Sequence, residues 1–218
     1  MKNVPLLIVT LLGTLALIFG VAMIFSQSST KGGVADLGVV KGPERRVKGK
    51  AEAQVTITEF SDFQCPACKA ISPLIKQVAD QNPDTVKVNY RHFPLTMIHP
   101  YATLAAQASE AAGEQGKFWE MHDLLFANQE TWAAFQSEDE ARAEFEKYAE
   151  QLGLDKATFV ETIQSDAIKQ NVANDIAAGN QLRVSATPTI FVNDQQVPAP
   201  QQLQSIVESE LQKVNTAQ

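Results

Sequence analysis

The pattern of apolar and polar positions changes character several times along the chain. Val4 to Phe25 is uncharged and mostly apolar, a run long enough to cross a bilayer. Ser26 to Lys50 is rich in Ser, Gly and Lys, with Gly32-Gly33 and Gly42-Pro43, and shows no sustained period, as in a flexible tether. Val55–Phe60 alternates and is rich in β-branched residues, which predicts a strand. Ile71, Leu74, Ile75 and Val78 recur at the spacing of one helix face, so a helix is expected over Pro66–Gln81, stopped at Asn82-Pro83. Thr85–Phe93 alternates again, with Val86, Val88 and Tyr90 on one face. Two strands joined by a crossover helix of this length form a βαβ unit with parallel strands.

From Pro100 to about Leu182 the period is helical throughout. Alanines at 102, 105, 106, 108, 111 and 112 allow close helix packing. Ser137-Glu138-Asp139-Glu140 has the form of a capping box, and Gly153 that of a helix end. A further long helical pattern carries Phe159, Ile163, Ile168, Val172 and Ile176 to Gly179, for four or five helices in all. Thr189–Val192 then reads as a short strand, Asn193-Asp194 as a turn and Gln196-Val197 as the hairpin partner. The last element is an amphipathic helix with Leu203, Ile206, Val207 and Leu211. The expected division is a membrane anchor or signal sequence over 1–25, a flexible linker over 26–50, a first α/β part over 51–98, a helical insertion over 99–182 and a second α/β part over 183–218.

Composition narrows the chemistry. The 218 residues suffice for one domain with an inserted subdomain, and a net charge of −7 argues against a nucleic-acid partner. Only two cysteines are present, Cys65 and Cys68, so the fold does not depend on a framework of disulfides. Both stand where the first strand hands over to the first helix. There the unpaired N–H groups and the positive end of the helix dipole favour a thiolate, so Cys65 should have a lowered pKa. Pro66 suits the first helical position and leaves Cys65 exposed at the edge, with Cys68 turned inward. Three residues of helix bring the two Cα atoms to about 5–6 Å, within the range of a disulfide that opens and closes. Glu59 shares a strand face with the apolar Val55 and Ile57, which raises a carboxyl pKa. Two roles are open to it: relaying a proton to or from Cys68, or reaching water at the strand end.

The run Glu59-Phe60-Ser61-Asp62-Phe63-Gln64-Cys65-Pro66-Ala67-Cys68 resembles the active-site segment of DsbA-type thiol–disulfide oxidoreductases. Val184-Ser185-Ala186-Thr187-Pro188-Thr189-Ile190-Phe191-Val192-Asn193 resembles that family's segment around a cis-proline, and the likeness extends over about residues 50–213. It implies a thioredoxin-like α/β fold with an inserted helical subdomain and a Cys65–Cys68 dithiol or disulfide without cofactor or metal. A cis Pro188 would place the Thr187 backbone beside Cys65. The implied substrates are cysteine pairs of exported proteins, with a membrane redox partner restoring the working state. Ala67 departs from the best-known pattern, in which a histidine at that position helps hold the thiolate. Its absence predicts a less depressed Cys65 pKa and a less oxidising disulfide, so a reductase or isomerase remains beside the oxidase reading. A binding or chaperone-like module with a structural disulfide, and a zinc site drawn from Cys65, Cys68, His92, His99 and His122, are the alternatives outside redox chemistry.

The N-terminal run is expected to be an uncleaved anchor with the catalytic domain outside the cytoplasm. Ser26-Gln27-Ser28 offers the competing reading, a signal peptide cut after Ser28 and a secreted domain. Lys31, Lys41, Arg45, Arg46, Lys48 and Lys50 follow the run, against the usual bias of basic residues to the cytoplasm, but most lie near or beyond the reach of that rule. They are expected in a solvated linker. His92 and His122 are expected in hydrogen-bonded packing roles, and Phe118, Trp119 and Trp132 in the core of the insertion rather than in a groove.

Overall fold

A computed structural model describes residues 37–41 and 46–216. The expected anchor over residues 4–25 lies outside the described residues, and among those described no helix is long and apolar enough to cross a membrane.

The described chain begins with a short helix, α1 (Leu37–Lys41), and a two-residue strand, β1 (Val47–Lys48). Next comes β2 (Val55–Ser61), all seven residues of which are buried. Its β-branched residues suit a strand covered on both faces. Helix α2 (Pro66–Gln81) has Pro66 in its first turn and runs on through Pro73. It leads into β3 (Val86–His92). After the insertion come β4 (Thr189–Val192), β5 (Gln195–Gln196) and a terminal helix over Leu203–Thr216. The sheet order is β1-β3-β2-β4-β5. β3 lies parallel to β2, as a crossover helix requires, whereas β4 lies antiparallel.

One face of the sheet presents Val55, Ile57, Val86, Val88, Ile190 and Val192 to Ile71, Ile75 and Val78 of α2 and to Leu203 and Val207 of the terminal helix. The other carries Phe60, which meets Phe93 and Phe191 edge-on.

The insertion consists of α3 (Ala102–Glu114), α4 (Phe118–Ala127), α5 (Gln129–Trp132), α6 (Glu138–Gln151), α7 (Lys156–Ile163) and α8 (Asp166–Gln181), with the terminal helix numbered α9. That is one or two more segments than expected. The long pattern from Phe159 to Gly179 is broken at Ser165, whose hydroxyl accepts from the Ile168 amide and starts a new helix. Gly179 does not end α8, which runs on to Gln181. The alanine stripe of α3 packs as its spacing predicts, with Ala105, Ala108, Ala111 and Ala112 fully buried. Ser137 and Gly153 bound α6, Gly153 at a φ of +71°.

The tether expected over 26–50 does not extend through the described part of that range. Val47 and Lys48 pair with Asn89 and Val88 at the edge of β3. Arg46 is 1% exposed and its guanidinium bridges Asp175 of α8 and Glu110 of α3, the latter at 3.2 Å. Arg91 joins the same carboxylate at 2.6 Å and donates to the carbonyls of Val39 and Val40. Arg46 is therefore not a solvated linker cation, and Lys48, although exposed, belongs to strand β1 rather than to a linker. The long-range partner Asp175, 129 residues further on, is what fixes Arg46.

Candidate active site

The turn between β2 and α2 is built from side chains that satisfy its backbone. The Cys65 amide donates to the Asp62 carbonyl at 3.0 Å, and Cys65 is the N-cap of α2 with φ −78° and ψ 120°. The buried Asp62 carboxylate accepts from the amides of Gln64 at 2.7 Å and Leu95 at 2.8 Å, and lies 2.7 Å from His99 Nδ1. Gln64 Oε1 accepts from the Tyr101 amide at 2.8 Å, tying the turn to the start of α3. From α5, Gln129 Nε2 donates to the carbonyls of Phe63 at 2.7 Å and Cys65 at 3.0 Å. Asp62, Gln64, His99 and Gln129 thus position the cysteine turn, a role the sequence reading missed. An aspartate between a strand and a helix is a turn signal that pointed to Asp62. Gln129 carried no local signal, because its partners are more than sixty residues away.

The fold brings Thr187 to Cys65 across 122 residues, the Cys65 sulfhydryl lying 3.5 Å from the Thr187 carbonyl oxygen. The Thr187–Pro188 peptide bond is cis. Both thiols are free, and Cys68 Sγ accepts from the Asp62 amide at 3.5 Å. Cys65 is less open than expected, with 7% of its surface exposed against 0% for Cys68. The Thr187 carbonyl lies against its sulfur, and the Gln129 amide against its backbone carbonyl.

The two sulfurs are held in opposite protonation states. The Cys68 thiol donating to Cys65 draws the Cys65 pKa from 9.0 down to about 5, helped by Thr187 and the amides of Ala67 and Cys68 against the opposing cost of burial. An imidazole at position 67 is therefore not needed for a thiolate here. Burial pushes the Cys68 thiol up, and the charges of its donor bond to Cys65 and of Glu59 add to this.

Glu59 lies on the α2 side of β2, one pleat from Ser61 and directly opposite Tyr90 of β3. It is 2% exposed, and burial raises its pKa from 4.5 to about 7, with the Ser61 hydroxyl donating to Oε1 at 2.7 Å and partly offsetting that rise. It also stands on the wall of a groove of about 470 Å³ that runs between α2 and α4. Trp119 and His122 line the same groove, so Trp119 is not a wholly internal core residue. His122 is packed edge-on against Tyr90, Phe63 and Phe126, and burial lowers its pKa. His92, at the end of β3, bonds Glu110 of α3 at 3.1 Å. Among the described residues no three His, Cys, Asp or Glu side chains converge on a metal-sized site.

The thioredoxin family model matches residues 41–209. In fold, oxidised BdbD from Bacillus subtilis superposes with a TM-score of 0.67 at 26% identity, over 83% of this chain and 97% of that one. DsbA2 of Pseudomonas aeruginosa is 27% identical with a TM-score of 0.55, over 70% and 84%. The chain is a DsbA-type member of the thioredoxin superfamily. This DsbA-type chain is also 41% identical over 176 residues to a Salinispora tropica protein called Na(+)/H(+) antiporter NhaA 3, covering 80% of this chain. It spans only 26% of that protein's length, so the likeness concerns one part of a larger molecule.

Proposed function

We propose that this DsbA-type chain oxidises cysteine pairs of exported proteins through a Cys65–Cys68 disulfide. A substrate thiolate attacks Cys65 Sγ, the Cys65–Cys68 bond breaks, and Cys68 leaves as a thiolate that takes up a proton. A second substrate thiolate then attacks the substrate sulfur bound to Cys65, and the Cys65 thiolate departs. The substrate loses two electrons, which the cysteine pair of this chain gains. A membrane redox partner takes them on, and the segment over residues 4–25 holds the domain at the extracytoplasmic side, where disulfides persist.

One observation carries the reading: the asymmetry between a slightly exposed sulfur with a pKa of about 5 and a neighbour that is fully buried and held as a thiol. A sulfur of low pKa is a good leaving group, and stabilising its thiolate favours the reduced form, which makes the disulfide an oxidant. Thr187 beside Cys65 supports an extended substrate segment pairing with its backbone. Glu59 serves as the proton store for Cys68, since its pKa of about 7 lets it give and take a proton near neutrality.

The test is a Cys68→Ala variant mixed with reduced substrate chains in the presence of a mild oxidant, together with equilibration of the wild-type chain in glutathione buffers. The variant is expected to hold substrate as a mixed disulfide on Cys65, and the wild type to equilibrate as an oxidant. Absence of trapped species would overturn the exchange reading. A strongly reducing equilibrium would overturn the oxidase reading in favour of a reductase.

A further inference from the structure

When a Cys65–Cys68 bond opens, its electron pair goes to a sulfur buried away from water. Cys68 is 0% exposed, and charge in such a place is costly unless a donor meets it. One main-chain donor does so: the Asp62 amide is directed at Cys68 Sγ from 3.5 Å. Asp62 stands one residue past the end of β2, and its remaining polar atoms are taken up by the chain around it. Its carbonyl accepts from the Cys65 amide at 3.0 Å and Oδ1 from the Gln64 amide at 2.7 Å. Oδ2 accepts from the Leu95 amide at 2.8 Å and from the His99 ring at 2.7 Å. A carboxylate can only accept, so His99 Nδ1 carries the hydrogen of that bond.

The two donors to Oδ2 are fixed to each other. The Leu95 carbonyl accepts from the amides of Ile98 and His99, each at 3.0 Å, and the His99 carbonyl accepts from the Ala102 amide at the start of α3 at 3.2 Å. The loop between β3 and α3 therefore grips one oxygen of Asp62 while the amide of the same residue faces Cys68. The Leu95 contact is main chain, whereas the His99 contact is a side chain that a substitution can remove. That side chain is 15% exposed and its partner carboxylate 0%.

We propose that the Asp62 amide receives the negative charge of Cys68 Sγ in the transition state through which the disulfide opens and closes, and that His99 is the positioning residue that keeps this amide aimed. The inference rests on the disulfide-exchange reading of the site. In opening, an incoming thiolate attacks Cys65 Sγ and a new S–S bond forms. The Cys65–Cys68 bond breaks, its electron pair goes to Cys68 Sγ, and the N–H···S bond strengthens as the charge develops. Cys68 then takes up a proton and becomes a thiol. In closing, Cys68 gives up that proton, its thiolate attacks Cys65 Sγ of the mixed disulfide, and the outer sulfur leaves with the electron pair. Cys68 is neutral in both end states, as a thiol or within the disulfide. A donor aimed at its charge therefore lowers the barrier between them while favouring neither.

The experiment follows the approach to equilibrium of the oxidised chain with reduced glutathione, which yields the opening and closing rates together, in the wild type, His99→Ala and His99→Asn. His99→Ala is expected to slow both rates about tenfold, a factor within the worth of one hydrogen bond to a charged group. The ratio of the two rates should stay as in the wild type. His99→Asn places an amide nitrogen where Nδ1 stands and is expected to restore both rates. In a Cys68→Ala background the reaction of Cys65 with oxidised glutathione does not pass through a Cys68 thiolate, and there His99→Ala should change nothing. Wild-type rates in His99→Ala, unequal changes in opening and closing, no recovery in His99→Asn, or an equal slowing in the Cys68→Ala background would each overturn the assignment and leave disulfide exchange standing. Failure of the wild type to form any mixed disulfide with glutathione would remove the exchange reading itself. Should His99→Ala not fold, His99→Gln takes its place: its amide stands where Nε2 does, away from Asp62, so both rates should fall together, and wild-type rates overturn the assignment.

Discussion

The side-chain amide of Gln129 donates to the carbonyl oxygen of Cys65 across 3.0 Å. The same nitrogen reaches the Phe63 carbonyl at 2.7 Å, so one residue of the insertion holds both sides of the cysteine turn. Gln129→Ala leaves two buried carbonyls without this donor, and leaving such groups unmet costs about 1–3 kcal/mol. It also loosens the amides of Ala67 and Cys68 that help stabilise the Cys65 thiolate. Urea denaturation should therefore show a lower midpoint, and the pH midpoint of Cys65 alkylation should move up. A variant with wild-type values in both measurements would remove Gln129 from the site.

Glu59 makes stability depend on pH in a direction opposite to most carboxylates. Its pKa rises from 4.5 to about 7 on folding, so between those values the folded chain holds a proton that the unfolded chain has released. Stability accordingly falls as pH rises through that window, by roughly 3 kcal/mol in total. In the dithiol form Cys65 works the other way: its folded pKa near 5 lies below 9.0, so stability from the thiolate grows as pH rises between them. The two slopes oppose each other from about 5 to 7. The disulfide form lacks the thiolate, and there the fall should be plain. Denaturation of the oxidised protein across this range should show it, and Glu59→Gln should flatten it. A profile for oxidised wild type that rises over the same range would mean that Glu59 is ionised in the folded chain.

The elements that sequence reading located well are those with punctuation at both ends. Pro66 and Asn82-Pro83 bracket α2, and Asn193, at a φ of +54°, marks the hairpin turn before β5. Cys65, Cys68 and Glu59 were legible because strand alternation and helix capping act over a few residues. What was not legible depends on contacts far apart in the chain. β1 has two residues and no alternation to read, and it forms because the edge of β3 is available and Arg46 finds Asp175. The break at Ser165 is hidden because the apolar period of α7 continues into α8 with little change.

Asp175 is the anion on which the N-terminal segment depends. It pairs with Arg46 and Arg91 and accepts from the His92 amide at 2.9 Å, all in a buried setting. Asp175→Asn keeps the shape but removes the charge that both guanidinium groups need. Breaking a buried pair from one side costs about 3–5 kcal/mol because the remaining charge is left without compensation. The expected result is a large drop in urea midpoint, with faster protease cleavage between α1 and β2 than in the wild type. A variant of near-wild-type stability would show that Glu110 alone neutralises the arginines.

Gly179 sits in the last turn of α8, two residues before its end at Gln181, where helix propensity favours alanine by at most about 1 kcal/mol. Packing opposes it. A Cβ at this position would meet Phe93 Cδ2 at 2.6 Å and Cε2 at 2.7 Å, closer than carbon atoms approach, with Phe60 Cδ1 at 3.2 Å behind. The Phe93 ring cannot simply swing away, because Phe60 stands edge-on to it and is itself braced by Phe191. Overfilling a packed core costs about 1–3 kcal/mol, and a contact this short belongs at the upper end. Gly179→Ala is therefore expected to destabilise the chain despite its better helix propensity. The double variant Gly179→Ala with Phe93→Leu should recover part of the loss, a coupling that denaturation of the four proteins in the cycle measures directly. Additive effects in that cycle would show that α8 accommodates the methyl group by shifting as a whole.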